Sequence, residues 1–196
     1  MMYTSLEIEF KSKLTKDQYE TLLKKYGLED KVFKQTNYYF DTPDHKLINN
    51  HIILRIREKS YNIKLTSKTK QEIGTLEKHI VLEHDNAYKM IKEGFNASVI
   101  GINEEVINIA SLTTHRAKTT YKNGTIFLDK NTYFDTTDYE IEFEAAEIEF
   151  EAAEIEFEAA EIELGRKEFL EFLEENNLEY IKIVSKSKRA YEKSSQ

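Results

Sequence analysis

Apolar and polar residues alternate with a period of two along most of this chain. In Leu6-Glu7-Ile8-Glu9-Phe10-Lys11, three apolar groups fall on one side and two carboxylates and an ammonium on the other, because successive side chains of a strand point to opposite faces. The same alternation predicts strands over 5–12, 31–41, 52–59, 61–68, 75–83, 113–121, 125–133 and 137–144, and a strand-like tail over 180–191 that turns basic. Asp41-Thr42-Pro43-Asp44 reads as a turn, and Asn123-Gly124 as a hairpin. Helical periodicity is confined to three places. Thr15-Lys16-Asp17-Gln18 has the form of a capping box, followed by Tyr19, Leu22, Leu23 and Tyr26 and ended by Gly27. Residues 86–110 have mixed helical character, and from Gly165 onward Phe169, Leu170, Phe172 and Leu173 share a helix face.

This pattern predicts an α+β chain: an eight-stranded antiparallel barrel with flanking helices, forming a single domain over 1–196. A meander of about eight strands closes into a barrel or splits into a sandwich. The polar sides decide between them. Glu7, Glu9 and Lys11 share one face; Arg55 and Arg57 share another, as do Lys64, Thr66 and Lys68, and Glu140, Glu142 and Glu144. That much charge on one sheet face calls for a polar interior with room for water and ligand, which a barrel provides as a tunnel.

Composition changes the picture in two ways. Charged residues make up 33% of the chain and the net charge is −8, which argues against nucleic acid as a partner, since such proteins carry a basic footprint. Yet residues 138–163 hold twelve acidic residues and no Lys or Arg; removing those twelve charges from −8 leaves +4, so the remainder is mildly basic. Cysteine is absent, which excludes disulfides and thiolate metal sites and suits a reducing cytosol. Without a signal-peptide-like start or an apolar run of roughly 20 residues, the expectation is a cytoplasmic protein with no membrane partner. Nothing in the pattern opposes a homodimer.

Residues 140–160 are three copies of Glu-Ile-Glu-Phe-Glu-Ala-Ala, followed by the partial copy Glu161-Ile162-Glu163-Leu164. A period of seven invites a coiled coil. However, the Phe positions stand about 200° from the Ile positions around a helix, so they form no common seam. As one long strand the repeat also fails, because an odd period inverts the apolar face with each copy. The first copy is therefore expected to be a strand, and the later ones a surface extension of the following helix.

The charged faces suggest a chemistry. Carboxylate oxygens suit Mg²⁺ or Mn²⁺, and Glu7, Glu9, Glu140 and Glu142 offer them; Asp129, on a strand after Ile126-Phe127-Leu128, could be another. Arg55 and Arg57 suit bidentate phosphate contacts, with Lys64 and Lys68 on the next strand and Arg116 on a later one. Each group alone would read as a solvated or salt-bridged surface; the recurrence of complementary sets favours a metal and a polyanion. The histidines, including His79 and His84, show no close ligand spacing and read as core or surface residues. Phosphate-loop, dinucleotide and nucleophile-elbow motifs are absent.

In Glu7-Ile8-Glu9-Phe10-Lys11 the chain resembles the Glu-x-Glu-x-Lys signature of the CYTH superfamily, the triphosphate tunnel metalloenzymes. Leu54-Arg55-Ile56-Arg57-Glu58-Lys59, Arg116, Asp129 and Tyr139-Glu140-Ile141-Glu142 follow in that family's order, over roughly residues 4–191. The resemblance implies an eight-stranded tunnel that binds a linear triphosphate, free or attached to an organic group, and hydrolyses it with Mg²⁺ or Mn²⁺. It implies metal binding by Glu7, Glu9, Asp129, Glu140 and Glu142. The phosphate path would comprise Lys11, Arg55, Arg57, Lys68, Arg116 and Lys188, with Lys64 also fitting by parity beside Lys68, and Lys186 close to Lys188. Lys11, Arg55 and Arg57 would act on the reacting phosphate. A class IV adenylate cyclase, or a non-catalytic polyphosphate- or nucleotide-binding module, would use the same tunnel.

Overall fold

The computed structural model describes residues 2–71, 74–145 and 155–194. Its strands are β1 (Met2–Glu7), β2 (Glu9–Leu14), β3 (Phe33–Asp41), β4 (Ile52–Lys59), β5 (Asn62–Lys70), β6 (Thr75–Leu82), β7 (Phe95–Asn96), β8 (Glu105–Tyr121), β9 (Gly124–Tyr133) and β10 (Thr136–Ala145). The helices are α1 (Lys16–Lys25), α2 (Lys46–Asn49), α3 (His84–Glu93), α4 (Ile155–Glu175) and α5 (Lys186–Ser194). The sheet runs β1-β6-β5-β4-β3-β8-β9-β10-β2, with β7 paired to β8 off this path, and every pairing is antiparallel.

The two edges of this curled sheet, β1 and β2, are consecutive in the chain. They are halves of the first alternating run, broken at buried Ile8, whose carbonyl accepts a hydrogen bond from the Ala145 amide at 3.0 Å. The break lets one segment pair with β6 on one side and β10 on the other, which joins the sheet into a tunnel wall. It also explains the strand count. Eight were expected, whereas nine lie on the path because the first run is two strands.

Parity puts the apolar residues on the convex face, where helices cover them. Leu128, Ile141 and Phe143 pack with Tyr19, Leu22 and Leu23 of α1 and Phe169, Phe172 and Leu173 of α4. Leu54, Ile56, Ile63 and Leu65 pack with Leu47 of α2 and Ala87 and Met90 of α3. Full burial of each such side chain contributes about 1.5–3 kcal/mol, so the two helical layers hold the curvature while the concave face stays polar. The Thr15–Gln18 capping box forms as expected, and Gly27 follows α1 at φ +60°.

Two local expectations change, at the β8–β9 turn and at the tail. The β8–β9 turn residues are Lys122 and Asn123, and Gly124 already lies in β9 opposite Tyr121. Gly124 is needed for space, since a Cβ there would lie 2.4 Å from Phe143 Cζ. The tail expected as a strand over 180–191 is instead an irregular stretch followed by α5. Ile181 touches β2 only through its backbone, accepting from Lys13 N at 2.9 Å and donating to Ser12 Oγ at 2.8 Å, so the ladder does not continue. Ser185 then starts the helix, its carbonyl accepting from Arg189 N at 3.0 Å. Of the repeat, the first copy is strand through Ala145 and residues 155–160 are helical in backbone, continuing into α4. The intervening residues 146–154 lie outside the described residues.

Candidate active site

The concave face encloses three adjoining cavities of about 580, 570 and 300 Å³, and Arg57 and Glu144 line all three. Each wall is set by strand register. Arg57 pairs with Lys64 across β4–β5, Arg55 with Thr66, Lys68 with Glu77 across β5–β6, and Asp129 with Glu140 across β9–β10. Because residues paired across strands share a face, the alternation in each strand accumulates into one charged interior.

Cations dominate the centre. Arg55 is 8% exposed, its Nε has no hydrogen-bond partner among the described residues, and its nearest carboxylate, Glu77, is 3.7 Å away. Arg57 donates Nε to Asn37 Oδ1 at 2.8 Å, a neutral acceptor. Burial, and then the neighbouring Arg55 and Arg116, pull its guanidinium down to about 10. Lys64 donates to the Tyr3 hydroxyl at 2.7 Å. Desolvated cations held by neutral or loosely placed partners are costly, which leaves this centre able to take an anion.

The wall of β9, β10 and α5 differs. Asp129, Glu140 and Glu142 offer oxygens within 4.8 Å of one another. Lys186 lies among them, 2.8 Å from Asp129 and 2.6 Å from Glu142, and paired with Glu140. Arg116 binds Asp129 through two bonds of 2.7 and 2.5 Å and also contacts Glu142, while Arg189 reaches Glu140 at 2.6 Å. Burial opposes ionisation of Glu142, but Lys186, Arg116 and Lys11 outweigh it and hold the carboxyl well below its usual range. Glu144 forms no ion pair among the described residues: burial and then Glu7, against the attraction of Arg116, push it up to about 7. Lys11, next to Glu9 at 2.5 Å, is raised because Glu9 and Glu142 overcome its burial.

The model of the CYTH domain family matches residues 5–191. This chain belongs to the CYTH family. It is 38% identical over 152 residues to "Putative triphosphatase YjbK" of Bacillus subtilis, covering 74% of this chain and 80% of that protein. Among solved structures it resembles a "putative adenylate cyclase" of Bacillus halodurans, with 26% identity, TM-score 0.79, and 95% and 97% of the two chains covered. It also resembles a Hippeastrum protein with "a dominant triphophatase activity", with 18% identity, TM-score 0.68, and 96% and 95% covered; this likeness concerns the fold.

Within this CYTH tunnel, Glu7, Glu9, Lys11, Arg55, Arg57, Lys68, Arg116 and Glu142 all line the second cavity, and Lys64 lines the first and third. Glu7 does not join the three-carboxylate cluster; it pairs with Lys68. Asp129 and Glu140 are fully buried beneath the wall, holding Arg116, Lys186 and Arg189. Lys188 is misplaced by the strand reading. In α5 it points outward to Glu192 at 3.8 Å, and its side chain is 58% exposed. A strand would put 186 and 188 on one face; a helix pairs 186 with 189, and those two face the carboxylates. Sequence reasoning also passed over Glu77, although alternation in 75–83 places it on the face of His79, and left Glu144 and Arg189 out of the site.

The donor set fits a hard divalent cation, since Asp129, Glu140 and Glu142 provide oxygen ligands alone and Glu7 and Glu9 stand in the adjoining cavity. Lys186 is the resident counter-charge of that cluster, so a metal ion there competes with its ammonium.

Proposed function

We propose that this CYTH protein hydrolyses a linear triphosphate inside the tunnel with the help of Mg²⁺ or Mn²⁺. The observation that carries the reading is the centre, where Arg57 and Lys64 are hydrogen-bonded to neutral groups and Arg55, with Glu77 at 3.7 Å, keeps a buried Nε that has no hydrogen-bond partner among the described residues. A triphosphate supplies the missing negative charge, and guanidinium forks match phosphate oxygens bidentately. Arg55 and Arg57 would bind and orient the phosphate chain, and Lys64, Lys68 and Lys11 would spread compensating charge along it. Positioned cations of this kind lower the barrier by stabilising charge that develops on the phosphoryl oxygens. When bound, a divalent ion adds Lewis acidity and neutralises phosphate charge; Glu7, Glu9, Asp129, Glu140 and Glu142 are the residues that would hold it. Glu144, unpaired and close to neutral pH in its ionisation, stands where it can exchange a proton with water in the cavity.

Support comes from the relative named "Putative triphosphatase YjbK". The test is phosphate release from tripolyphosphate and ATP with Mg²⁺, Mn²⁺ or excess chelator, with cyclic AMP measured in parallel. Metal-dependent phosphate release is expected. Cyclic AMP as the main product would replace the hydrolase by a cyclase, and tight binding without turnover would leave a binding module.

A further inference from the structure

We infer that Tyr3 and His79 form a stacking platform for a planar heteroaromatic group joined to the triphosphate, so that the preferred substrate is a ring-bearing organic triphosphate rather than free tripolyphosphate. This inference rests on the triphosphate reading above and extends it outward along the tunnel.

Tyr3 and His79 are cross-strand partners on β1 and β6, and their rings stack with centroids 4.7 Å apart and planes 27° from parallel. The His79 ring is held from three strands. Its Nε2 lies 3.2 Å from Ser5 Oγ and 3.3 Å from the Glu77 carboxylate, and its Nδ1 lies 3.1 Å from Thr66 Oγ1. Lys64 Nζ is 2.7 Å from the Tyr3 hydroxyl but 5.4 Å from the ring centroid. Those two distances put the ammonium beyond the hydroxyl edge, near the ring plane and away from the face. Tyr3 remains 41% exposed, and with one face on His79 and the hydroxyl edge anchored, that exposure belongs to its remaining face and rim.

A bland packing role fits poorly. Neither ring belongs to the three apolar clusters of the described residues. Both line the same cavity as Arg55, Arg57 and Glu7. Arg55, Thr66 and His79 are register partners in one row across β4, β5 and β6, two strand spacings or about 10 Å from Arg55 to His79. A phosphate chain held on Arg55 therefore brings a ring attached to its end within reach of the platform. Inorganic tripolyphosphate has no face to stack, whereas a planar ring stacked on an aromatic side chain tightens binding about tenfold or more.

The experiment is equilibrium binding with Mg²⁺ of three probes: β,γ-imido-ATP, thiamine triphosphate and ring-free inorganic imidotriphosphate. The parent should bind at least one ring-bearing probe about tenfold or more tighter than the ring-free one, and the probe that gains identifies the kind of ring. Tyr3→Ala should abolish that advantage, while Tyr3→Phe, which releases Lys64 equally but keeps the ring, should retain it. Equal affinity of the parent for all three probes would overturn the inference, as would a Tyr3→Ala loss shared equally by ring-bearing and ring-free probes. Because binding needs no turnover, ring-dependent affinity without phosphate release would reject the hydrolase reading and retain the platform.

Discussion

On the β4–β5 wall, Arg55, Arg57 and Lys64 face the cavity with neutral or distant partners. On the β9–β10 wall, Asp129, Glu140 and Glu142 are matched by Arg116, Lys186 and Arg189. Both walls are charged, yet the charges of one are matched by direct ion pairs, while on the other Arg57 and Lys64 meet neutral groups and Arg55 stands 3.7 Å from Glu77. The matched wall satisfies its buried charges internally, around three carboxylates whose oxygens suit a hard cation. The other wall leaves charge that an anion can satisfy. Charge content alone therefore does not separate structural from ligand-binding residues; the partner of each charge does.

The largest contrast should come from removing one charge on each wall. Arg57→Ala should lower kcat/KM for triphosphate hydrolysis by about 100- to 1,000-fold, the scale of one lost charge-stabilising donor. Its thermal midpoint should hold or rise, because Arg57 is crowded by Arg55 and Arg116. Asp129→Ala should do the opposite to stability, costing about 3–5 kcal/mol in denaturant unfolding, since the buried cations Arg116, Lys186 and Arg189 would then face only two carboxylates, Glu140 and Glu142. Equal stability losses in the two variants would erase the distinction between the walls.

A pH scan of metal-free protein sharpens it further. The Glu144 carboxyl is raised from 4.5 to about 7 in the folded chain. Its proton is therefore held by the folded form and released by the unfolded form between those values. The stability it contributes is full below about pH 4.5, falls through the window, and is gone above about 7, a change on the order of 3 kcal/mol. Glu144→Gln should flatten that decline in unfolding free energy, and an unchanged profile would mean that Glu144 ionises normally.

Removing the resident cation is expected to have a smaller effect. Lys186→Gln should tighten Mn²⁺ binding, measured by calorimetry without substrate, by about tenfold, the effect of one competing like charge near a partly screened site. Lys188→Gln, on the outward face of α5, should leave it unchanged. The smallest effect belongs to the repeat. Deleting residues 147–160 rejoins Ala146 to Glu161-Ile162-Glu163-Leu164 with the local sequence intact, and surface insertions are usually tolerated. Hydrolysis should stay near the parental level; its loss in a cooperatively melting variant would show that the later copies help build the site.

Much of this was legible in single residues. Arg55 against Leu54 and Ile56, and Glu142 against Ile141 and Phe143, reveal their faces by alternation, and the structure keeps them there. The strand reading misplaces Lys188 because Lys186-Ser187-Lys188-Arg189 fits either periodicity, and the docking of Arg189 against Glu140 and Asp138 turns one face of a helix inward. The break at Ile8 was also hidden, because the alternation runs through it unbroken.

By itself, then, the sequence determined which side chains share a strand face, the cap of α1 and the family signature. These depend on neighbours within a few positions, where backbone geometry leaves little freedom. The tertiary structure alone decided which charges meet. Lys186 lies 44 to 57 positions from the three carboxylates it joins, and Tyr3 lies 76 from the ring it stacks on. Such pairings are set by closure of the sheet between β6 and β10 and by the helices packed outside it, because electrostatic and stacking energies depend on distance in space and not on separation along the chain.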